Sequence, residues 1–279
     1  MISGSNASLS SGNNGEQFDF TATNIKTALG LNGTYPYPGG SWSEYISYVQ
    51  ASSGNLIAPG YRDMYGYMTW LDYLQWNRFT YADTPDLWKT SEQPIKPLKD
   101  AVGLFIDFLT STGAQDQVGL SVFTSSSSGG ILEQGLTTNL TTIKTITQQR
   151  QAGHYASPTN ISAGMTLARN ELVAHARPRS FRLMVLLTDG QANLPTSVSA
   201  GTAAVLNEAN LAAANNIKIL TIALGADADT ATLQTVANTT GGQSFVIAGG
   251  QSTSAVAQQL NDVFREIASS RPLRLVSGQ

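Results

Sequence analysis

Residues 181–190 have the sequence Phe-Arg-Leu-Met-Val-Leu-Leu-Thr-Asp-Gly. A short, near-continuous apolar run of this kind is typical of a strand that is buried on both faces of a parallel sheet. The polar Thr-Asp-Gly that follows marks the end of the strand, because Asp and Gly favour turns. We therefore predict a buried strand over 181–187 with a polar loop at its carboxyl end.

The chain on both sides of this strand alternates between helical and strand patterns. Towards the amino terminus we predict a helix with an apolar face over 98–109, strands at 118–123 and 130–136, a helix at 139–150 and a helix after Thr159. Towards the carboxyl terminus we predict a helix at 198–214, a strand at 217–224, a helix at 230–238 capped by Asp229, a strand at 244–247 and a last helix over 256–267. Such alternation indicates βαβ units. The predicted fold class is α/β, with a doubly wound, mostly parallel sheet flanked by helices.

Residues 7–93 differ from the rest of the chain in composition and in apolar periodicity. They are rich in Gly, Ser, Asn, Tyr and Trp, and their apolar periodicity is weak. A stretch such as 32–40, Asn-Gly-Thr-Tyr-Pro-Tyr-Pro-Gly-Gly, has the composition of turns. We interpret this region as a long, partly ordered, irregular insertion. Its aromatic rings are expected to pack on a neighbouring surface or fill a small satellite core, in preference to forming a ligand platform.

The composition excludes several classes of function. The 279-residue chain has 16 Lys and Arg against 19 Asp and Glu, a formal net charge of −3, whereas nucleic-acid-binding proteins usually present a basic face. The absence of cysteine excludes disulfide frameworks, thiolate zinc sites and cysteine nucleophiles. With only His154 and His175, and without the G-x-S-x-G elbow of serine hydrolases, catalysis is not expected. We predict a protein that is not an enzyme and does not bind nucleic acid.

Composition also bears on location. The longest apolar runs are far shorter than the roughly 18 residues that a membrane-spanning helix needs, and residues 1–10 lack the features of a signal peptide. Charged residues make up only 13% of the chain, about half the share of an average soluble domain. A surface of neutral polar groups is common outside the cytoplasm. We expect a cell-envelope, periplasmic or extracellular location, with a signal or anchor outside this chain.

Three polar clusters are candidates for a site at the carboxyl ends of the strands, where ligands bind in sheets of this kind. They are Ser3-Gly4-Ser5, Thr159-Asn160 before a helix, and Thr188-Asp189-Gly190 after the buried strand. The last cluster resembles the T-D-G segment of von Willebrand factor A (vWA) domains. Ser3-Gly4-Ser5 is similar to part of the first vWA motif, and Thr159-Asn160 is similar to the threonine loop. The resemblance runs over 94–270.

The resemblance implies a metal-ion-dependent adhesion site (MIDAS). On the matched positions, Ser3, Ser5 and Thr159 would be direct ligands of Mg²⁺ (or Mn²⁺), and Asp189 would act through a bound water. Oxygen ligands and retained waters suit Mg²⁺. Because the hydroxyl ligands bring no charge, the cation would remain electrophilic and could take a carboxylate from a protein partner as its last ligand.

The sequence departs from the vWA pattern at its start. The leading aspartate of the family falls at Met1, and a thioether is a poor ligand for hard Mg²⁺, so the implied site would be weak. The strand that precedes this motif in the family has no counterpart here. Its absence would leave unpaired backbone groups on the strands at 118–123 and 181–187. We expect either an N-terminally shortened form of a longer protein, which we favour, or a replacement strand such as residues 273–276.

Each candidate ligand also has a purely structural interpretation. Ser3 and Ser5 would then be unordered terminal residues. Thr159 would only cap the following helix, a common role for threonine. Asp189 would only form a turn after the strand.

The resemblance divides the chain into a remnant of the first metal-site loop (1–6), the insertion (7–93), a vWA-like domain (94–270) and a tail (271–279). It implies a non-catalytic protein-binding or adhesion module. The long insertion and the Thr-Asp-Gly-Gln-Ala-Asn segment resemble bacterial TadG-like proteins of Tad pilus assembly, which implies pilus or envelope proteins, or a host surface, as partners. The alternative is a metal-independent scaffold with a degenerate metal site, whose aromatic insertion forms the interaction surface.

Overall fold

The computed structural model describes residues 2–3, 21–78, 80–89, 95–113, 115–124, 129–150 and 159–269. The chain divides into two compact units. The first comprises residues 1–89 and 149–154, and the second comprises residues 90–148 and 155–279.

The first unit is built from short helices. Its elements are β1 (Ile2–Ser3), α1 (Ala22–Ala28), α2 (Trp42–Gln50), β2 (Met64–Tyr65), α3 (Tyr67–Asn77) and a 3₁₀ helix at Leu87–Lys89. β1 and β2 pair in antiparallel fashion. The N-cap of α2 is Ser41, whose hydroxyl accepts a hydrogen bond from the backbone N–H of Glu44 at 3.1 Å. This cap satisfies one of the free donors in the first turn of the helix.

The aromatic side chains of the first unit pack on one another. Tyr45, Tyr65 and Tyr73 are each no more than 3% exposed. The ring of Trp70 lies 4.9 Å from the ring of Tyr45 and 5.5 Å from that of Tyr73, measured between centroids. Burial raises the pKa of Tyr45 above its ordinary value. The rings therefore fill a core of their own, and they do so from helices that the weak apolar periodicity did not predict.

The second unit contains a parallel sheet in the order β5-β6-β7. β5 spans Arg182–Thr188, β6 spans Ile217–Leu224 and β7 spans Ser244–Ile247. β6 is the middle strand, and all of its side chains except Lys218 are buried. These strands form the buried parallel sheet that the apolar runs predict.

A buried threonine joins the two neighbouring strands β6 and β7. Thr221 is fully buried, and its hydroxyl lies 2.9 Å from Ser244 Oγ and 3.2 Å from the carbonyl oxygen of Leu233. Thr221 and Ser244 are direct cross-strand partners. The polar side chain is therefore satisfied inside an otherwise apolar core, as buried polar groups must be.

Helices cover both faces of this sheet. α6 (Ile161–His175), α7 (Val198–Ala214) and α8 (Thr230–Thr240) share one core with it, and α4 (Ile95–Ser111) and α9 (Thr253–Ser269) share another. Along β6, Ile217 and Ile219 belong to the first core and Leu220 and Ile222 to the second, as strand alternation requires. The fold is the doubly wound α/β arrangement that the sequence predicts. No helix in the described part of the chain is long and apolar enough to cross a membrane.

A hairpin completes the second unit. β3 (Val118–Phe123) pairs in antiparallel fashion with β4 (Gly130–Thr137), and α5 (Leu140–Gln149) follows. Within the described ranges, β3 pairs only with β4 and β5 pairs only with β6. Each of these two strands therefore has one edge without a strand neighbour there. All six residues of β3 are only partly buried, in contrast to β6.

Candidate metal-ion site

Two loops meet at the carboxyl edge of the parallel sheet. One leads into α6 and contains Thr159, and the other follows β5 and contains Asp189 and Asn193. The backbone N–H of Thr159 donates to Asn193 Oδ1 at 2.7 Å, and the backbone N–H of Asn193 donates to the carbonyl oxygen of Thr159 at 3.1 Å. These reciprocal hydrogen bonds hold two of the predicted polar clusters side by side.

The loop after β5 is held by the strand before it and the helix after it. Thr188 is 2% exposed, and its hydroxyl accepts a hydrogen bond from the backbone N–H of Gly190 at 3.3 Å. Further on, Ala192 is buried in the core between the sheet, α6 and α7. α7 approaches so closely that a Cβ on Gly201 would lie 2.5 Å from the carbonyl oxygen of Ala192. Sequence analysis missed Gly201, although a glycine inside a helical pattern is a signal of close packing.

Asn160, and not Thr159, is the N-cap of α6. The Asn160 side-chain oxygen accepts a hydrogen bond from the backbone N–H of Ala163 at 3.2 Å. The interpretation of Thr159 as only a cap is therefore wrong. In the described part of the chain, neither the Thr159 hydroxyl nor the exposed Asp189 carboxylate hydrogen-bonds or forms an ion pair with another residue. These oxygens can therefore bind a cation or its waters.

The end of the β3–β4 hairpin lies close to the same edge. A Cβ on Gly129 would lie 2.4 Å from Asn160 Nδ2, and a Cβ on Gly164 would lie 3.1 Å from the Cβ of Phe123. The carboxyl end of β3 therefore lies at the start of α6. Since Thr159 joins the start of α6 to the loop after β5, β3 and β5 end at the same edge and run in the same direction.

The other two predicted ligands, Ser3 and Ser5, are not part of these two loops. Ser3 belongs to the first unit, where its backbone pairs with Met64. Ser5 and Met1 lie outside the described residues. The structure thus brings together the loops of Thr159 and Asp189. The full ligand set of Ser3, Ser5, Thr159 and Asp189 stays a prediction.

The donor atoms at this edge suit a hard divalent cation. Hydroxyl and carboxylate oxygens are the ligands that Mg²⁺ prefers, and Mg²⁺ usually keeps several waters. The described ranges contain no group of three or more His, Cys, Asp or Glu side chains that could hold a metal ion. Thr159 and Asp189 supply one hydroxyl and one carboxylate. The residues therefore fit a solvated site that water and further ligands complete.

A family model that matches the second part of the chain shows the family to which the chain belongs. The von Willebrand factor type A domain model matches residues 88–265, well over half of the sequence. The chain belongs to this family. The matched range includes Thr159 and Asp189 but not Ser3 or Ser5. Domains of the family are in general non-catalytic modules of protein–protein interaction. No curated protein matches the chain significantly.

Several solved structures are similar to the chain. The conserved hypothetical protein BatB from Bacteroides thetaiotaomicron is 16% identical, with a TM-score of 0.46 over 62% of this chain and 90% of that chain. An aerotolerance-related membrane protein from Bacteroides fragilis is 15% identical, with a TM-score of 0.47 over 63% of this chain and 91% of that chain. Proximal thread matrix protein 1 from the mussel byssus, solved with a zinc-occupied MIDAS motif, is 18% identical, with a TM-score of 0.48 over 62% of this chain and 42% of that chain.

Proposed function

We propose that this protein is a non-catalytic binding module that uses a divalent cation, Mg²⁺ or Mn²⁺, to capture a protein partner. The cation lies at the carboxyl edge of the parallel sheet, with Thr159 as a ligand and Asp189 acting through a bound water. Ser3 and Ser5, the further ligands that the vWA resemblance implies, stay a prediction. The partner supplies a carboxylate as a further ligand.

The reciprocal hydrogen bonds between Thr159 and Asn193 carry this proposal. They fix the threonine loop against the loop that holds Asp189, at distances of 2.7 and 3.1 Å. A preformed arrangement lowers the entropic cost of binding, because the loops need not be ordered when the cation arrives. Asn160 provides the helix cap, so the Thr159 hydroxyl is left for the cation.

The chemistry of these residues favours recognition over catalysis. A neutral hydroxyl ligand leaves most of the positive charge of the cation uncompensated, and this charge attracts a carboxylate. Asp189 is exposed and can orient a metal-bound water from outside the first coordination sphere. We propose that the partners are pilus or cell-envelope proteins. The protein would act in Tad-type pilus assembly or at the cell envelope. Its location would be the cell envelope or the outside of the cell.

The test is titration of the chain with Mg²⁺ and with Mn²⁺ by calorimetry, together with thermal unfolding at rising metal concentration. Binding to the folded state raises the free energy of unfolding by about 2.7 kcal/mol at a metal concentration 100 times the Kd. We expect saturable heat and a rising melting temperature. Asp189→Asn and Thr159→Val should each remove both signals without changing the fold.

Asp227→Asn is the matched control, because Asp227 is also exposed and follows the neighbouring strand β6. It should bind Mn²⁺ as the parent does. Metal affinity that survives in both Asp189→Asn and Thr159→Val would remove the site assignment.

A second candidate function is a metal-independent scaffold that binds partners through the aromatic insertion. In its favour, α3 exposes Tyr67, Met68 and Trp76 by 68%, 53% and 59%. This candidate would be favoured if calorimetric titration showed no heat of binding for Mg²⁺ or Mn²⁺ and if neither cation changed the melting temperature.

A further inference from the structure

Basic side chains cluster where the strands of the parallel sheet begin, at the edge opposite the candidate metal-ion site. Arg177 and Arg179 lie in the connection between α6 and β5, and Arg182 is the first residue of β5. Lys218 is the second residue of β6 and pairs with Leu183 of β5. Four of the 16 Lys and Arg of the chain thus share one edge of a protein whose net charge is −3. We call Arg177, Arg179, Arg182 and Lys218 the basic edge.

The turn that carries Arg177 and Arg179 has a fixed backbone. The N–H of Ser180 donates to the carbonyl oxygen of Arg177 at 3.1 Å, which closes the turn around Pro178 and Arg179. Arg177 also donates through Nη1 to the carbonyl oxygen of Gln115, in the segment that leads into β3. Both arginines are exposed. The turn therefore presents them to solvent from a defined position.

Arg179 has a backbone conformation that suits glycine better. Its φ is +62°, in the left-handed region that glycine adopts freely and that has a steric cost for residues with a Cβ. Central turn positions with positive φ usually carry Gly or Asn. Strained residues of this kind cluster at functional sites. The strain thus indicates a role for the Arg179 side chain beyond forming the turn.

The other two basic side chains lie against the sheet and beside an exposed aromatic ring. Lys218 is partly buried, and its ammonium lies 5.8 Å from the ring centroid of Phe181. Arg182 is also partly buried, and its Nη1 donates to the carbonyl oxygen of Asn215 at 3.4 Å. Phe181 is 48% exposed. The basic edge therefore combines cationic groups with an accessible apolar ring.

The acidic residues near this edge leave it positively charged. Glu171 of α6 is only 11% exposed, and its carboxylate accepts the backbone N–H of Leu136 and lies 2.8 Å from His175 Nδ1. Two further acidic residues lie where strands of the second unit begin, Asp116 before β3 and Glu266 beside the start of β7. They face four cationic groups, so the edge has an excess of positive charge.

We propose that the basic edge binds the surface of an anionic lipid bilayer. Three of its four cations are arginines, and guanidinium groups bind phosphate oxygens through pairs of parallel hydrogen bonds. Partly buried basic side chains can extend to the headgroup level while an aromatic ring enters it. In protein interfaces the aromatic anchor is surrounded by near-neutral contacts. Phe181 is instead flanked by cations, which favours a bilayer over an acidic protein.

Strand β5 separates this surface from the candidate metal-ion site. Its seven residues, Arg182–Thr188, span about 20 Å. A bilayer at the basic edge therefore leaves the loops of Thr159 and Asp189 at the far end of the strand, accessible to a protein partner. The lipid contact does not use the metal ion, so this proposal and the proposed function can fail separately.

Vesicle sedimentation of the full chain tests the proposal. The vesicles contain phosphatidylcholine alone or with about 30% phosphatidylglycerol, and EDTA removes divalent cations that could bridge protein and lipid. We expect at least about tenfold stronger binding to the anionic vesicles, because each basic residue near such a surface strengthens binding about fivefold. About 1 M NaCl should remove this difference, since the screening length is then about 3 Å. Equal binding to both kinds of vesicle at low salt would overturn the proposal.

Charge removal locates the binding surface. The double variant Arg179→Gln/Lys218→Gln should bind anionic vesicles about 25-fold more weakly than the parent. The matched control is Lys96→Gln/Lys144→Gln, which removes the same charge from α4 and α5 of the same unit and should bind as the parent does. Equal weakening in the two double variants would contradict the assignment. Retention of the parent on immobilised polyglutamate but not on anionic vesicles would assign the edge to an acidic protein instead.

Arg179→Gly distinguishes a role in binding from a role in folding. Glycine suits a φ of +62°, so the melting temperature should equal or exceed that of the parent. Binding to anionic vesicles should nevertheless fall about fivefold. Parent affinity for the vesicles in Arg179→Gly would show that this guanidinium does not contact lipid, and the proposal would be wrong.

Discussion

Arg169 of α6 and Glu208 of α7 form an ion pair in which Nε lies 2.8 Å from Oε2. Their side chains are only 17% and 11% exposed. The pair joins the two helices that follow the Thr159 and Asp189 loops. Removing one partner of a buried pair leaves the other charge uncompensated. The Arg169–Glu208 pair therefore holds together the two helices whose first turns follow the loops of the candidate site.

We predict that Glu208→Ala lowers the free energy of unfolding by about 3 kcal/mol, because the Arg169 guanidinium loses its charged partner in a poorly solvated place. Chemical denaturation monitored by circular dichroism measures this change. Asp107→Ala is the control, since Asp107 pairs with Lys144 but is 56% exposed. That variant should lose less than about 1 kcal/mol. Equal losses in the two variants would show that burial does not distinguish these pairs.

Asn193→Ala removes the acceptor of the Thr159 N–H without touching either proposed donor oxygen. We predict a fall in Mn²⁺ affinity of about 10-fold to 100-fold, the usual effect of losing a group that orients metal ligands. Calorimetry measures the affinity. Asn238→Ala, at an exposed position in α8, is the matched variant and should bind as the parent does. Parent affinity in Asn193→Ala would show that the two reciprocal hydrogen bonds do not position the site.

Two helical glycines in buried positions give opposite predictions for the same substitution. Gly201→Ala should lower the free energy of unfolding by about 1–3 kcal/mol, since the new Cβ would lie 2.5 Å from the carbonyl oxygen of Ala192. A Cβ on Gly103 would contact only Lys144 Cε, at 3.6 Å. Gly103→Ala should stabilise the protein by about 0.5–1 kcal/mol, because alanine favours helix more than glycine does. Urea titration of both variants checks the signs.

The first unit should lose stability in acid. The Arg78 guanidinium donates to Glu44 at 2.7 Å and holds the pKa of that carboxyl below its ordinary value of 4.5. A lowered carboxyl pKa stabilises the folded state above the ordinary value, and this stability is lost as the pH falls through the lowered pKa. Tryptophan fluorescence during acid titration should therefore show a transition that Glu44→Gln moves or flattens. Glu266→Gln, in the second unit, should leave that transition in place.

Periodicity predicts the elements of the second unit best. The strand at 217–224 and the helix at 198–214 have the bounds that their patterns indicate, because apolar runs and an Ala-rich helical stretch reflect burial directly. The helices of the first unit were missed because their core mixes tyrosines with a few aliphatic residues and because polar residues interrupt the pattern. Ser41 and Glu44, a serine with an acidic residue three places later, were the available signal for α2.

The candidate site was only partly accessible to sequence analysis. Thr159 and Asp189 could be named, because each stands next to a strongly patterned element. That Asn193 binds Thr159 depends on a contact between residues 34 positions apart, which no local pattern encodes. The same holds for Gly201, whose role depends on the path of a loop packed against it.

The hydroxyl of Thr221 fixes the register in which β6 and β7 pair. A slip of one residue would turn the Ser244 side chain to the opposite face of the sheet. Thr221 would then lose one of its two hydrogen-bond partners inside an apolar core, a penalty that an all-aliphatic pair of strands would not impose. This single polar contact thus discriminates against misaligned pairing during folding, which apolar side chains of similar size cannot do.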